Sequence, residues 1–432
     1  MYKLNETDPD FRKAFSDFLT SNRDSDVDVS SDVRTIIEKV RKEGDGALFE
    51  LNSKFDQNPS ESLEFTNIEI DEAVSNISFE EKTALDLAAA RIKDYHRRQL
   101  PKDADYTDEV GARLGWRFSA VGAAGIYVPG GLANYPSSVL MNAIPAKVAG
   151  VPKIYMCVPC PNGEVNPLVL YAAKLAGVDR VFKIGGAQAI SAFAYGTKTI
   201  PRVDKITGPG NAYVAEAKRQ VFGIVGIDMI AGPSEVLVIA DQNNDPDWVA
   251  VDLMSQAEHD VDAQAILITD SAEFGDKVAQ AIEARLLTLE RRNIARKSWE
   301  THGAIIIAKT LQSAAHLSNL IAPEHLQICT EDARAISHLT HNAGAIFIGK
   351  WTPEAIGDYV GGPNHVLPTS GSARFSSGLN VMDFMKRSTV SEMSFGALKA
   401  IGPASVTLAT TERLEAHALS VSLRLAQVNE KN

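Results

Sequence analysis

From about residue 115 onward the chain alternates short β-rich runs with helical segments, and no other feature constrains its fold as strongly. The first series of runs is "AAGIYV", "KIYMCV", "DRVFK" and "VDKIT". The helical segments "SSVLMNAIPAKVAG" and "PLVLYAAKLAG" lie among them, and "NAYVAEAKRQVFG" follows. A second series holds "SEVLVIAD", "AQAILITD", "GAIIIAKT", "LQICT" and "GAIFIGK", again with helical segments between. Repeated βα units with apolar strands imply parallel sheets covered on both faces. The expectation is an α/β chain with two open sheet domains in tandem.

The first hundred residues read as helical. Val33, Ile36, Ile37 and Val40 recur at helical spacing, and Gly44 can end that helix. Ser78 and Glu81 fit a capping box. The stretch 350–380 is rich in Gly, Pro and Ser, lacks periodicity, and reads as a long functional or disordered loop. Near the end, Leu414, Ala418, Val421 and Leu425 form one helical stripe that needs something to bury it.

Composition narrows the function classes. The 432 residues are 45% hydrophobic, enough for a sizeable core. A formal net charge of -12 lacks the basic face that nucleic acid or an anionic membrane requires. Three cysteines, Cys157, Cys160 and Cys329, give no disulfide framework. The N-terminal residues show no signal peptide, and no run approaches the roughly 20 apolar residues that span a bilayer. A cytoplasmic, soluble protein is expected.

The polar residues that could carry chemistry fall in four places. Gln256 and His259 are three apart, so they share a helix face, while Glu258 does not. That spacing suits two ligands of one metal, or simply a histidine complementing a helix dipole in its last turn. In "APEHLQI", Glu324 and His325 put a carboxylate beside an imidazole. Along a regular strand they would point apart, so both can face one substrate only if the backbone turns there; a hydrated helix-to-strand turn is the alternative. "GDYVGGPNHV" holds Asp358 and His365 in a glycine-rich loop, either as an oxygen and a nitrogen ligand or as surface residues. In the tail, Glu412 and His417 diverge by about 140° on a regular helix, so sharing a site requires Glu412 at an unwound helix start.

His96, His338 and His341 sit on helical segments among polar neighbours and receive no role. "CVPC" has the CxxC spacing but no second pair, and reads as two core or surface thiols. The glycine clusters "VPGG", "IGGAQA" and "TGPGNAY" follow strands and open helices, where phosphates can bind. None matches G-x-G-x-x-G.

Taken in order, these pieces resemble the histidinol dehydrogenase family. The resemblance runs from about residue 30 to 425 and rests on "YVPGGLANYPSSVLMNAIPAKVAG", "KIGGAQAI", "DKITGPGNAYVAEAKRQVFG", "IDMIAGPSEVLVIAD", "SQAEHD", "APEHLQI", "GDYVGGPNHVLPTSG" and "ERLEAHALSVSLR". It implies zinc- and NAD-dependent oxidation of L-histidinol to L-histidine through an enzyme-held aldehyde, the last step of histidine biosynthesis. Carried over motif by motif, the zinc ligands would be Gln256, His259, Asp358 and His417. Glu324 and His325 would be the acid–base pair. Ser234, His325, His365 and Glu412 would contact substrate together with the metal ligands. Tyr127, Gln188 and Asn211 would contact NAD. The resemblance also implies a homodimer in which His417 and Glu412 complete the neighbour's site.

The expected architecture is two tandem open Rossmann-like parallel-sheet domains with small helical N- and C-terminal extensions. Residues 1–25 would form the N-terminal extension, 26–120 with 239–382 the first α/β domain, 121–238 the second, and 383–432 a tail exchanged in the dimer. Cys329, the thiol nearest the acid–base pair in sequence, is expected to be buried. A zinc hydrolase would use the same kinds of residue and would work without NAD. A two-domain binding protein would need neither turnover nor the Glu324–His325 pair.

Overall fold

A computed structural model describes residues 1–21, 28–58, 61–130, 135–230 and 232–426. Gly131 of the first glycine cluster and part of the expected N-terminal extension lie outside the described residues. Fourteen strands occur among them. The first seven are β1 (Tyr2–Asn5), β2 (Ala104–Thr107), β3 (Arg113–Ala120), β4 (Ala124–Tyr127), β5 (Ile154–Val158), β6 (Arg180–Lys183) and β7 (Lys205–Thr207). The others are β8 (Gly226–Ile227), β9 (Glu235–Ala240), β10 (Gln264–Thr269), β11 (Ala304–Ile307), β12 (His325–Cys329), β13 (Ala345–Ile348) and β14 (Met385–Glu392).

Contacts divide the chain into two compact units. One comprises 1–99 with 122–384, and the other 100–121 with 385–432. The larger unit holds two parallel sheets, ordered β6-β5-β4-β7-β8 and β1-β11-β10-β9-β12-β13. Apart from β1, the two orders are the same. In each, the first strand of the series is central, the next two add on one side, and the last two add on the other. That is the doubly wound arrangement, with a switch point between β4 and β7 and another between β9 and β12.

The six-stranded sheet is apolar on both faces because its strands alternate two sets of large side chains. Leu237, Ile239, Ile266, Ile268, Ile306 and Ile328 face Phe11, Phe15 and Phe18 and the helix Leu311–Ile321. Val236, Val238, Ala265, Leu267 and Ile305 face the helices Pro246–Ala257, Ala272–Leu286 and Arg292–His302. Each fully buried large aliphatic side chain contributes about 1.5–3 kcal/mol. Around the five-stranded sheet, Val33, Ile37 and Val40 pack with Phe182, Ile190, Phe193 and Ile206. Gly44 ends the helix Ser30–Glu43 at φ 57°, and Ser78 and Glu81 form the capping box.

The structure partitions the chain differently from the expected boundaries. Tyr2–Asn5 is not helical but adds β1 to β11 in parallel, Tyr2 opposite Ala304. This covers an otherwise open sheet edge. Helices Ser30–Glu43 and Asp45–Phe55 pack on the five-stranded sheet rather than with residues 239–382, because their buried stripe meets Ile190 and Phe193. Residues 100–121 belong with the tail: β3 pairs antiparallel with β14 over eight positions, from Arg113–Glu392 to Ala120–Met385.

In that smaller unit the tail helix is broken in two. Pro403 lies inside the helix Phe395–Thr411, and Arg413, at φ 59°, separates it from Glu415–Ala426. Val421 and Leu425 approach Gly402 on the preceding helix. Leu414, by contrast, is non-helical and exposed. No helix among the described residues is long and apolar enough to cross a membrane.

Candidate active site

Ser234, His259, Glu324 and His325 all lie at the N-terminal edge of the six-stranded sheet. Ser234 precedes β9, His259 precedes β10, and Glu324 and His325 open β12. The backbone turns where the sequence left the matter open: Ala322 sits at φ 54° before Pro323. As a result the Glu324 carboxylate comes within 3.6 Å of His325 Nδ1 instead of pointing away.

Each member of the pair is fixed by one residue, Glu235. His325 Nδ1 donates to the Glu235 carbonyl at 2.9 Å, and the Glu235 N–H donates to Glu324 Oε2 at 2.8 Å. Burial pushes Glu324 well above the usual carboxylate range, against the opposing pull of that N–H. Burial also lowers His325, against the raising effect of Asp358. With Nδ1 committed as donor, Nε2 carries the lone pair, and it has no hydrogen-bond partner.

What Nε2 faces comes from the stretch 350–380. Residues Glu354–Tyr359 form a short helix there, in place of the expected structureless loop. Glu354 and Asp358, four apart, share one face of it, with Glu354 Oε1 at 3.7 Å and Asp358 Oδ1 at 3.9 Å from His325 Nε2. Ligand atoms of His325, Glu354 and Asp358 all lie within 4.8 Å of one another. Burial and the Asp358 charge push Glu354 up to about 9. Among the described residues no lysine or arginine pairs with Glu324, Glu354 or Asp358. A buried cluster of carboxylates and imidazoles without a cationic side chain is a donor set suited to a divalent cation.

His365 joins the cluster from the irregular loop. Its Nδ1 donates to the Asp358 carbonyl at 3.0 Å, and its Nε2 lies 3.4 Å from Ser138 Oγ on the helix Pro136–Val148. His259 acts electrostatically on both His325 and His365. It lies outside the 4.8 Å group. Gln256 is buried in the last turn of the helix Pro246–Ala257, which ends before His259 instead of carrying both on one face, and its Nε2 has no partner. Glu412 and His417 lie exposed in the smaller unit, Glu412 in the break between the tail helices.

Tyr127, Gln188 and Asn211 stand at the other sheet's C-terminal edge. Tyr127 ends β4, Asn211 caps the helix that follows β7, and together they flank the switch point. Gln188 is in the first turn of the helix after β6. Tyr127 Oη accepts the Gly186 N–H at 3.1 Å, which ties two of these loops together. Asn211 Oδ1 accepts from Val214 N. Gly208, at φ 124°, lets the third loop close on the Tyr127 carbonyl, where a Cβ would clash at 1.9 Å. This is where doubly wound sheets bind nucleotides.

The sequence model of the histidinol dehydrogenase family matches residues 19–425. The chain belongs to that family. It is 62% identical over 428 residues to a histidinol dehydrogenase of Ruegeria pomeroyi, covering 99% of each chain. Against the histidinol dehydrogenase of Cereibacter sphaeroides the identity is 58%, covering 98% of each. The crystal structure of histidinol dehydrogenase from Elizabethkingia anophelis matches with a TM-score of 0.95 at 36% identity, covering 99% of both chains. The activity is thus that of an oxidoreductase of histidine biosynthesis, acting on an alcohol and aldehyde.

Residue-by-residue reading missed Glu354, Ser138, Glu235 and His96. Two carboxylates four apart in "PEAIGDY" could have signalled Glu354. Glu235 acts through its backbone, which leaves no mark in the sequence. His96, which received no role, is fully buried. Its Nδ1 lies 2.7 Å from Gln99 Oε1 and its Nε2 3.3 Å from Asn364 Nδ2, next to His365. All three thiols are buried, as expected of Cys329; burial pushes Cys160 up to about 12 and Cys329 up to about 11.

Proposed function

We propose that the chain oxidises L-histidinol to L-histidine in two hydride transfers to NAD, with zinc as the resident metal and a second copy of the chain completing each site. The observation that carries this reading is the buried group of His325, Glu354 and Asp358, with Gln256 and two further imidazoles about it and no cationic side chain paired to its carboxylates. Gln256, His259 and Asp358, with His417 from the second copy, would hold the metal. Bound zinc supplies an anchor for the substrate's nitrogen donors and orients the alcohol carbon. Bound NAD supplies the hydride acceptor, and Tyr127, Gln188 and Asn211 would hold it.

The chain's own residues manage the protons. His325 Nε2 takes the hydroxyl proton as the alcohol carbon loses its first hydride. The donor bond from Nδ1 to Glu235 fixes the ring for that task. Glu324 then accepts a proton from the water that adds to the aldehyde. As that water adds, His325 returns its proton to the aldehyde oxygen, and it then takes a hydroxyl proton from the hydrated aldehyde as the second hydride leaves to give the acid. Ser234 and His365, with Glu412 from the second copy, position the substrate, and burial of the acid–base pair keeps bulk water out. Alcohol to acid is a four-electron change, so each histidine formed requires two NADH. The test is histidinol plus NAD with both products followed. Two NADH per histidine is the expected ratio, and turnover without NAD would move the reading to a hydrolase.

A further inference from the structure

We propose that Glu354 is the specificity-determining acceptor for the substrate's amino group. The inference rests on the histidinol reading and deepens it. Two buried acceptors in the site lack a partner: His325 Nε2 and Glu354 Oε1. They stand 3.7 Å apart, and Glu354 is only 2% exposed. A 2-amino alcohol carries an O–H and an N–H on adjacent carbons, so one molecule can satisfy both acceptors at once. His325 Nε2 takes the hydroxyl proton, which leaves Glu354 Oε1 for the amine.

Two other acceptors near the pair already hold donors. Glu324 Oε2 holds the Glu235 N–H, and the Asp358 carbonyl holds His365 Nδ1. The Asp358 carboxylate belongs to the metal set in the proposed function. Glu354 is itself held from behind. Its N–H donates to Gln327 Oε1 at 3.1 Å, and Ser255 Oγ lies 3.4 Å from Oε2. Gln327 Nε2 in turn donates to Asp252 at 2.6 Å. The carboxylate therefore needs little reordering when an amine arrives. A site built around a buried acceptor rejects a ligand lacking the matching donor, because the acceptor is then left unpaired.

The experiment is calorimetric binding to the zinc-loaded, full-length dimer without NAD, so that no turnover intervenes. The ligands are L-histidinol and its deaminated analogue, imidazolylpropanol. In Glu354→Gln, which keeps an acceptor oxygen but cannot carry the charge that an incoming ammonium stabilises on the carboxylate, histidinol should bind about 10-fold more weakly. Imidazolylpropanol should bind within twofold of wild type, and zinc per chain should be unchanged. Equal weakening of both ligands would overturn the proposal, as would loss of zinc, which would make Glu354 a metal ligand. Glu354→Ala should repeat the pattern more strongly. Failure of the wild-type protein to oxidise histidinol is a separate result, and it would count against the proposed function.

Discussion

His325 Nδ1 and the Glu235 carbonyl are joined by a 2.9 Å hydrogen bond that decides which ring nitrogen can act as a base. The consequence is directional. Replacing His325 by Asn removes the proposed base and leaves the proposed metal set intact. The expected loss in kcat is about 100- to 10,000-fold, the usual range for a positioned general base. Zinc per chain, measured by atomic emission, should not change. A variant with near wild-type kcat would remove His325 from the chemistry.

In the proposed mechanism Glu324 serves the second half of the reaction, so Glu324→Gln should divide the two hydride transfers. Supplied with histidinol, the variant should release its first NADH in a burst and then stall at the aldehyde. Supplied with histidinaldehyde, it should turn over about 100-fold or more below wild type. Rapid-quench analysis of intermediate and acid distinguishes this from a uniform slowing of both steps. The Gln side chain keeps an acceptor for the Glu235 N–H, so the fold should survive.

The metal set is tested by removal. Gln256→Ala and His259→Ala should each lower zinc content after dialysis against a chelator. Stripping wild type should lower its thermal midpoint. At metal concentrations about 100 times Kd, binding only to the folded chain contributes about 2.7 kcal/mol. Full activity retained by either variant in chelator would separate the metal from the site.

Much of the fold was legible because βα alternation is a local signal. All five strands of the second series fall on the apolar runs quoted from the sequence. Strand order is not local, and neither "SEVLVIAD" nor "LQICT" reveals that β9 and β12 are neighbours. The pairing of Arg113–Ala120 with Met385–Glu392 spans more than half the chain and has no sequence signature. The site divides in the same way. His325 and Asp358 announce themselves by residue type, whereas Glu235 holds the acid–base pair through its backbone N–H and carbonyl. His96 received no role because its partner, Asn364, is 268 residues away.

That buried histidine gives a pH dependence with a definite sign. Burial lowers the folded pKa of His96 below its ordinary value of 6.5. As pH falls below about 6.5 the unfolded chain binds a proton that the folded chain does not, so stability is lost. The loss continues down to the folded pKa. His96→Gln lacks the titrating group, so its stability should fall less between pH 7 and pH 5 than that of wild type. Parallel denaturant titrations at the two pH values measure it, and parallel curves would assign the acid sensitivity elsewhere.

The tail supplies the last test. Glu412 and His417 are exposed in a single chain, yet both would belong to the catalytic set. If each site takes His417 from the other copy, two inactive variants should rescue one another. His325→Asn keeps its tail, and His417→Ala keeps its acid–base pair. After mixed refolding, half of the dimers pair one chain of each kind, and each of those has one wild-type site and one doubly altered site. Activity should return to roughly a quarter of wild type, as exchange in a two-fold dimer requires. A site built wholly within one chain returns nothing above the sum of the two variants, because each chain then carries its own defect into its own site.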